Sequence, residues 1–261
     1  MLFLNAIARI NINMIDKEFL YTPDEPLTVP DSAMRLHERI VERLRELIKC
    51  SASSPLDTEF RLGFERALSF YDDYLRETLS ANKKRASCGK GCNFCCSHWV
   101  EDVNSFELQI IADYIKTQMP QYQIEKITDA CRGDVAAMKN LEKIVDEKLA
   151  ALNPRAEIDP SLILLSSFYQ LERPCPLLTA AGECGVYNVR PITCRVYMNL
   201  SDPKRCAASN INDGEVVTCI LDFQEEANAL LDELHLRFRR NEGSSALRAG
   251  ILEELSGLKS L

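Results

Sequence analysis

The chain has 261 residues, and its 46% hydrophobic content is enough for a packed core. Its net charge of −8 argues against nucleic acid as the main partner, although Lys83-Lys84-Arg85 forms a local basic run. No apolar stretch reaches the roughly 18 residues of a transmembrane helix, and Asn5 and Arg9 interrupt the N-terminal apolar run, so we expect neither a membrane span nor a signal peptide.

The eleven cysteines indicate metal binding rather than a disulfide scaffold. Their number is odd, the chain is much longer than the usual disulfide-stapled domain, and most of the thiols are clustered. A reducing compartment keeps thiols free for metal, so we expect a cytoplasmic protein.

Residues 1–30 predict an extended arm, because three prolines punctuate them. Residues 31–49 predict a helix, since apolar residues recur at helical spacing with Arg and Glu between them. We expect Asp31 or Ser32 to cap its first turn.

Residues 55–82 predict a second helix, with Pro55 in its first turn. This helix carries a stripe of Phe and Tyr, which is more typical of a helix–helix core than of a cofactor site. We expect the two helices to pack as a hairpin over residues 31–84. Cys50, between them, is expected to be a packed or surface thiol.

Four cysteines lie within nine residues, in the stretch Cys88-Gly-Lys-Gly-Cys92-Asn-Phe-Cys95-Cys96. Thiolate is a soft ligand that suits zinc, copper(I) and iron–sulfur clusters. The short spacing lets one loop present several sulfurs, and the two glycines allow the backbone to turn tightly. This stretch therefore predicts a metal site.

The adjacent pair Cys95-Cys96 constrains how the sulfurs are shared. In extended backbone, successive side chains point to opposite sides, so one metal does not readily take both sulfurs. Either the two cysteines serve different sites, or one of them supports the site without binding the metal. A disulfide between the two is disfavoured by its geometry.

Three helices are predicted after the first cysteine group, as an insertion over residues 104–171. The first begins at a capping-box pattern, Asn104-Ser-Phe-Glu107. The others cover residues 123–151 and 160–171. Cys131 lies inside the second of them and is expected to be structural or exposed.

A second cysteine group follows, with gaps of about ten residues that suit a looped segment folding back on a shared site. Gly182 and Gly185 flank one of its members as turn residues. The group consists of Cys175, Cys184, Cys194 and Cys206. Four plus four thiols correspond to two four-sulfur sites, or to one site completed from both halves of the chain.

The remaining segments predict little β-structure. Short strands are expected at residues 185–189 and 215–220, which are rich in β-branched residues, and helices at 222–241 and 245–258. The expected fold class is mainly α, with an irregular, loop-rich cysteine core and at most a few short strands. We divide the chain into an arm, a helical hairpin, a cysteine-cluster domain and C-terminal helices, at residues 1–30, 31–84, 85–220 and 221–261.

These motifs resemble the YkgJ-type cysteine-cluster family, which is described as zinc- or iron-chelating. Besides the first cysteine group, the resemblance rests on Cys175-Pro176, on Gly182-Glu183-Cys184 and on Arg190-Pro-Ile-Thr-Cys194-Arg195. It covers about residues 85–206. It implies a metal domain whose candidate ligands are Cys88, Cys92, Cys95, Cys96, Cys175, Cys184, Cys194 and Cys206.

The metal and the function remain open at this point. Zinc is held by four thiolates in tetrahedral geometry, and iron enters as a cysteine-bound cluster. The main interpretation is a metal-binding protein. The alternatives are a metal-dependent protein-modifying enzyme similar to flagellin lysine methylases, and a metal-delivery protein with a protein partner. A radical-SAM enzyme shares the Cys88-x3-Cys92-x2-Cys95 spacing, but the chain lacks the alternating βα units of that fold.

Four other residues bear on the site. His98 and Cys219 are reserve ligands, because zinc sites mix Cys and His and because Cys219 follows the second group closely. Arg190 and Arg195 bracket Cys194, where they either stabilise thiolates or form ordinary ion pairs with carboxylates.

Overall fold

The computed structural model describes residues 27–89, 91–150, 159–210, 217–240 and 243–257. The predicted arm lies outside these ranges except for its last four residues. The fold is mainly α, as predicted, with a two-stranded sheet in the described ranges. Its α-helices are α1 (Asp31–Lys49), α2 (Thr58–Ala81), α3 (Ser105–Gln118), α4 (Gln121–Ala150), α5 (Pro160–Tyr169), α6 (Thr193–Val196), α7 (Gln224–Phe238) and α8 (Leu247–Ser256).

The first hydrophobic cluster lies between α1, α2 and α7. The two N-terminal helices pack against each other, and α7 packs on α1. The rings of Phe60 and Phe238 meet edge to face at 4.8 Å, and Tyr71 stacks on Phe223 at 4.4 Å. Each fully buried ring contributes about 1.5–3 kcal/mol through apolar burial. The aromatic stripe of α2 is therefore core, as predicted.

The predicted bounds of α1 are confirmed, but its predicted cap and the predicted start of α2 are wrong. α1 has Pro30 at its N-cap and begins at Asp31, and Ser32 does not cap it. Pro55 precedes α2 rather than lying in its first turn. The reason is Asp57, whose carboxylate accepts hydrogen bonds from N–H groups of the preceding loop and holds a turn there.

The predicted capping box of α3 is confirmed, and its Glu107 also binds a second segment of the chain. Glu107 accepts a hydrogen bond from the Asn104 N–H at 3.1 Å. Its other carboxylate oxygen accepts from the Ile192 N–H at 2.8 Å. Glu107 is buried, and burial raises its pKa although these hydrogen bonds oppose the shift. The start of α3 is thereby tied to the turn that carries Cys194.

The sheet is antiparallel and consists of β1 (Tyr197–Asn199) and β2 (Thr218–Ile220). β2 confirms the described part of the strand predicted at residues 215–220, whereas β1 was not predicted. The strand predicted at residues 185–189 is wrong. Its last three residues form a 3-10 helix, because their N–H groups bond back to carbonyls of the same turn instead of to a neighbouring strand.

Arg237 fastens α7 to the end of α1. Its guanidinium donates to the carbonyls of Leu47 and Ile48, both at 3.0 Å, and to that of Cys50 at 2.8 Å. These carbonyls have no partner within their own helix, so the arginine satisfies them and complements the helix dipole. Cys50 is half-buried at this junction.

The second half of the fold brings α8 against α3 and α4, and α5 against α4. Gly250 of α8 lies so close to α3 that an added Cβ would be 2.4 Å from Leu108 Cδ1. This close approach places the N-terminal end of α8 beside the cysteine loops. Among the helices that the structure describes, none combines the length and apolar character needed to cross a bilayer.

Candidate metal centre

The fold brings the two cysteine groups together. The 3-10 helix Phe94–Ser97, which carries two cysteines, contacts the 3-10 helix Pro203–Cys206. Tyr169 joins the two, because its hydroxyl donates to the carbonyl of Phe94 at 3.3 Å and to that of Cys206. Segments more than one hundred residues apart in sequence are thus held side by side.

Cys88 is anchored to the sheet. Its sulfur accepts a hydrogen bond from the Asn199 N–H at 3.2 Å. The preceding residue, Ser87, donates its N–H to the Asn199 carbonyl at 2.8 Å. Asn199 is fully buried in β1, so the start of the first cysteine group is fixed by a rigid element.

Four thiols form an electrostatic group in the interior of the domain. Burial raises the pKa of Cys175 to about 11, and the charge of Cys184 adds to that shift. Burial also raises the pKa of Cys194, with further contributions from the charges of Cys175, Cys95 and Cys184. The hydrogen bond to Cys95 and burial raise the pKa of Cys96, and the charges of Cys95, Cys175 and Cys194 add to that rise. Burial and mutual repulsion therefore both oppose ionisation of these thiols.

The other four thiols form a second electrostatic group around Cys206. Burial raises the pKa of Cys206 to about 12, and the charges of Cys88, Cys95 and Cys92 contribute. Cys88 is exposed to solvent, whereas the other three are half-buried. Cys206 is therefore close to the first cysteine group and not remote from it.

Cys95 and Cys96 differ in environment. They lie in a 3-10 helix rather than in the extended backbone assumed from the sequence. The Cys96 thiol donates a hydrogen bond to Cys95, which lowers the pKa of Cys95 to about 7 and raises that of Cys96. Cys95 is therefore the readier thiolate of the pair, and it lies near thiols of both groupings.

The thiols are near one another without forming a finished ligand shell. All eleven cysteines lie in the described ranges, and each is a free thiol. Among the described residues, no three His, Cys, Asp or Glu side chains meet the geometry for one metal ion. The donor set nevertheless has the chemistry of a zinc or iron–sulfur site, since it is rich in thiols and poor in oxygen ligands.

Residues 87–214 match the family model CxxCxxCC, described as “Putative zinc- or iron-chelating domain”. This segment is therefore similar to the CxxCxxCC family. The match covers both cysteine groups and agrees closely with the extent of the resemblance found in the sequence. The family description supports a metal ion as partner and leaves zinc and iron both open. No curated protein and no solved structure is significantly similar to the chain.

The two arginines around Cys194 have different roles in the CxxCxxCC domain. The charge of Arg190 lowers the pKa of Cys95, Cys184 and Cys194, against the larger effect of burial for the last two. Its Nε is buried and has no hydrogen-bond partner among the described residues. Arg195 instead donates to two main-chain carbonyls and pairs with Asp72 at 3.5 Å. Of the two roles left open for these arginines, thiolate stabilisation therefore falls mainly to Arg190 and ion pairing to Arg195.

Sequence reasoning missed the residue that ties the domain to α8. Arg248 is 2% exposed and forms an ion pair with the equally buried Asp134 of α4. It also donates to the carbonyls of Cys96 and His98, at 3.2 and 3.4 Å, and to that of Arg173 at 2.9 Å. One guanidinium thus holds both cysteine segments by their main chains.

The reserve ligands lie in settings unlike those of the eight thiols. The ring of His98 stacks on Tyr169 with centroids 3.7 Å apart, and burial, aided by the charge of Arg248, lowers its pKa to about 4. Cys219 is buried on β2 in the first hydrophobic cluster, near Tyr71. Cys131 is buried on α4, close enough to Cys175 for the charge of Cys175 to raise its pKa. Cys131 is therefore structural, one of the two roles expected for it.

Proposed function

We propose that the CxxCxxCC domain binds metal through eight cysteines that form two four-thiolate sets. The outer set consists of Cys88, Cys92, Cys95 and Cys206. The inner set consists of Cys96, Cys175, Cys184 and Cys194. Each set takes thiols from both cysteine groups, so metal binding would bridge the two segments.

The observation that carries this proposal is the contact between Phe94–Ser97 and Pro203–Cys206, which brings the two cysteine groups together. The electrostatic interactions among the thiols suggest how the sulfurs divide. The pKa of Cys206 is raised by the charges of Cys88, Cys95 and Cys92, whereas that of Cys194 is raised by the charges of Cys175, Cys95 and Cys184. The adjacent cysteines of the first group divide in the same way. The charges of Cys175 and Cys194, both in the inner set, raise the pKa of Cys96, whereas the charge of Cys95 raises the pKa of thiols in both sets.

The inner set has a cation suited to a thiolate site. Four thiolates on one divalent ion leave a net negative charge, which is costly away from water. Arg190 supplies a positive charge to two inner thiols and to Cys95, and its buried Nε is available as a donor to sulfur. Removing this charge should weaken metal retention without unfolding the helical core.

Either zinc or an iron–sulfur cluster fits four thiolates per set. Zinc would hold the loops together, and a cluster would add electron transfer. Both require reduced thiols, in keeping with the cytoplasmic location expected from the sequence. The methylase-like alternative rests on the resemblance alone, so we do not extend the proposal to a reaction.

A pair of serine substitutions tests the proposal. Cys194→Ser removes an inner thiol, and Cys50→Ser removes a half-buried thiol at the end of α1 whose sulfur donates to the Leu47 carbonyl at 3.0 Å. The metal content of anaerobically purified protein should fall by about half in the first variant and stay unchanged in the second. Full metal content in Cys194→Ser would overturn the assignment of the inner set.

A further inference from the structure

Positive charge is concentrated where the first cysteine group begins. Residues 78–100 contain four Lys or Arg and no Asp or Glu, in a chain whose net charge is −8. Three of these cations, Lys83, Lys84 and Arg85, are consecutive and exposed. Lys83 has a left-handed backbone with φ of 53°, so the chain turns sharply at this point.

A second basic pair is linked to this segment through Asn199, whose Nδ2 donates to the Asp202 carbonyl at 3.1 Å. Lys204 and Arg205 immediately precede Cys206, on the 3-10 helix that contacts Phe94–Ser97. Asn199 binds Ser87 by its main chain, so the chain following Lys83–Arg85 is held at the start of the same loop. An acidic neighbour, Asp202, accepts a hydrogen bond from the Lys204 N–H at 2.9 Å.

The outer set opens to solvent between these two segments. Cys88 is the exposed member of the eight candidate thiols. An added Cβ on Gly89 or Gly91 would meet no atom within 4 Å among the described residues. A partner therefore has room to approach Cys88 directly from this side.

We propose that these five cations form a docking face for an acidic segment of a partner protein, which would place that partner beside the outer set. The face consists of Lys83, Lys84, Arg85, Lys204 and Arg205. Charge complementarity supports a protein rather than a long polyanion, because the net-negative remainder of the chain would repel an extended nucleic acid. The role of docking in metal or electron exchange rests on the proposed function, whereas docking itself does not.

The binding test uses the metal-loaded full chain and a short fluorescent peptide of alternating Glu and Asp without cysteine. The variant K83N/K84Q/R85Q removes three charges, with Asn at the left-handed position because it tolerates that conformation. The control R132Q/K139Q/K143Q removes three exposed charges from α4. Anisotropy at low salt should show binding weakened about tenfold by the first variant and unchanged by the control. K204Q/R205Q should also weaken it.

Several results would overturn the docking face. Equal weakening by the control would show that only net charge matters. Tighter binding of oligo-dT or phosphatidylserine vesicles than of the peptide, at the same ionic strength, would assign the face to another partner. Metal content is measured on the same samples. Protein that is found to hold no metal but binds the peptide would support docking and contradict the proposed function. Metal-loaded protein that does not bind the peptide would overturn docking and leave the proposed function standing.

Discussion

Arg248 of α8 donates a hydrogen bond to the main-chain carbonyl of Cys96 at 3.2 Å, although 152 residues separate the two in sequence. The guanidinium is buried and is neutralised by Asp134 of α4. A charge in this position is costly unless it is paired and hydrogen-bonded, and here both conditions are met. The C-terminal helix therefore helps to hold the cysteine loop in place.

Replacing Arg248 should weaken both folding and metal retention. Arg248→Met leaves Asp134 without its partner on α8, and breaking a buried ion pair costs about 3–5 kcal/mol. Urea unfolding measures this loss, and Arg240→Gln, at an exposed ion pair with Glu254, is the control. The double variant Asp134→Leu/Arg248→Met should recover stability but still release metal to a chelator faster than wild type. Wild-type release rates in the double variant would show that Arg248 does not position the loop.

Cys95 and Cys96 should not be interchangeable. Cys95→Ser is expected to remove metal from the outer set. Because Cys95 lies near both sets, the variant should also weaken metal binding by the inner set. Cys96→Ser should remove metal from the inner set alone. The thiols that affect the pKa of Cys96, besides its neighbour Cys95, are Cys175 and Cys194. Metal per chain and the visible spectrum of each variant distinguish these outcomes. Identical loss of all metal from both variants would argue for one shared cluster.

Removing metal should loosen the centre of the molecule and spare its first hydrophobic cluster. Structural zinc contributes on the order of 10 kcal/mol in small domains, comparable with the stability of a whole domain. Hydrogen exchange after chelation should therefore rise in residues 88–98 and 173–206. α1, α2 and α7 should stay protected by their own core, while α8 should respond because Arg248 contacts both loops. Unchanged protection of both cysteine segments in metal-free protein would contradict a bridging metal.

His235 should make stability depend on pH. Its Nδ1 accepts the Ser105 N–H at 3.0 Å, and burial, with the charge of Arg239, lowers its pKa below the ordinary 6.5, although Asp232 opposes the shift. The folded protein thus binds fewer protons than the unfolded chain. Stability should be lost as pH falls from 6.5 toward the lowered pKa.

The comparison with His235→Asn isolates that effect. Asn keeps an acceptor oxygen for the helix start but does not titrate. Between about pH 7 and about pH 5.5, wild type should lose more free energy of unfolding in urea than the variant. Equal losses of unfolding free energy in the two proteins would show that His235 does not cause the pH dependence.

The sequence predicted the elements whose signals are local. Helices such as α1 follow from apolar residues at helical spacing, and the first cysteine group follows from its spacing alone. The strand expected at residues 185–189 failed because β-branched composition cannot show whether a partner strand exists. Arg248 and Asp134 were missed because a single ionic residue in a helix is normally exposed, and only the packing of α8 on α4 reveals that both are buried.

The most direct test of the central claim is the metal content and visible spectrum of wild-type protein purified without oxygen. Two four-thiolate sets predict about two zinc ions per chain in colourless protein, or iron and sulfide sufficient for about two clusters in brown protein. Finding neither zinc nor iron at a substantial fraction of the protein would contradict the account.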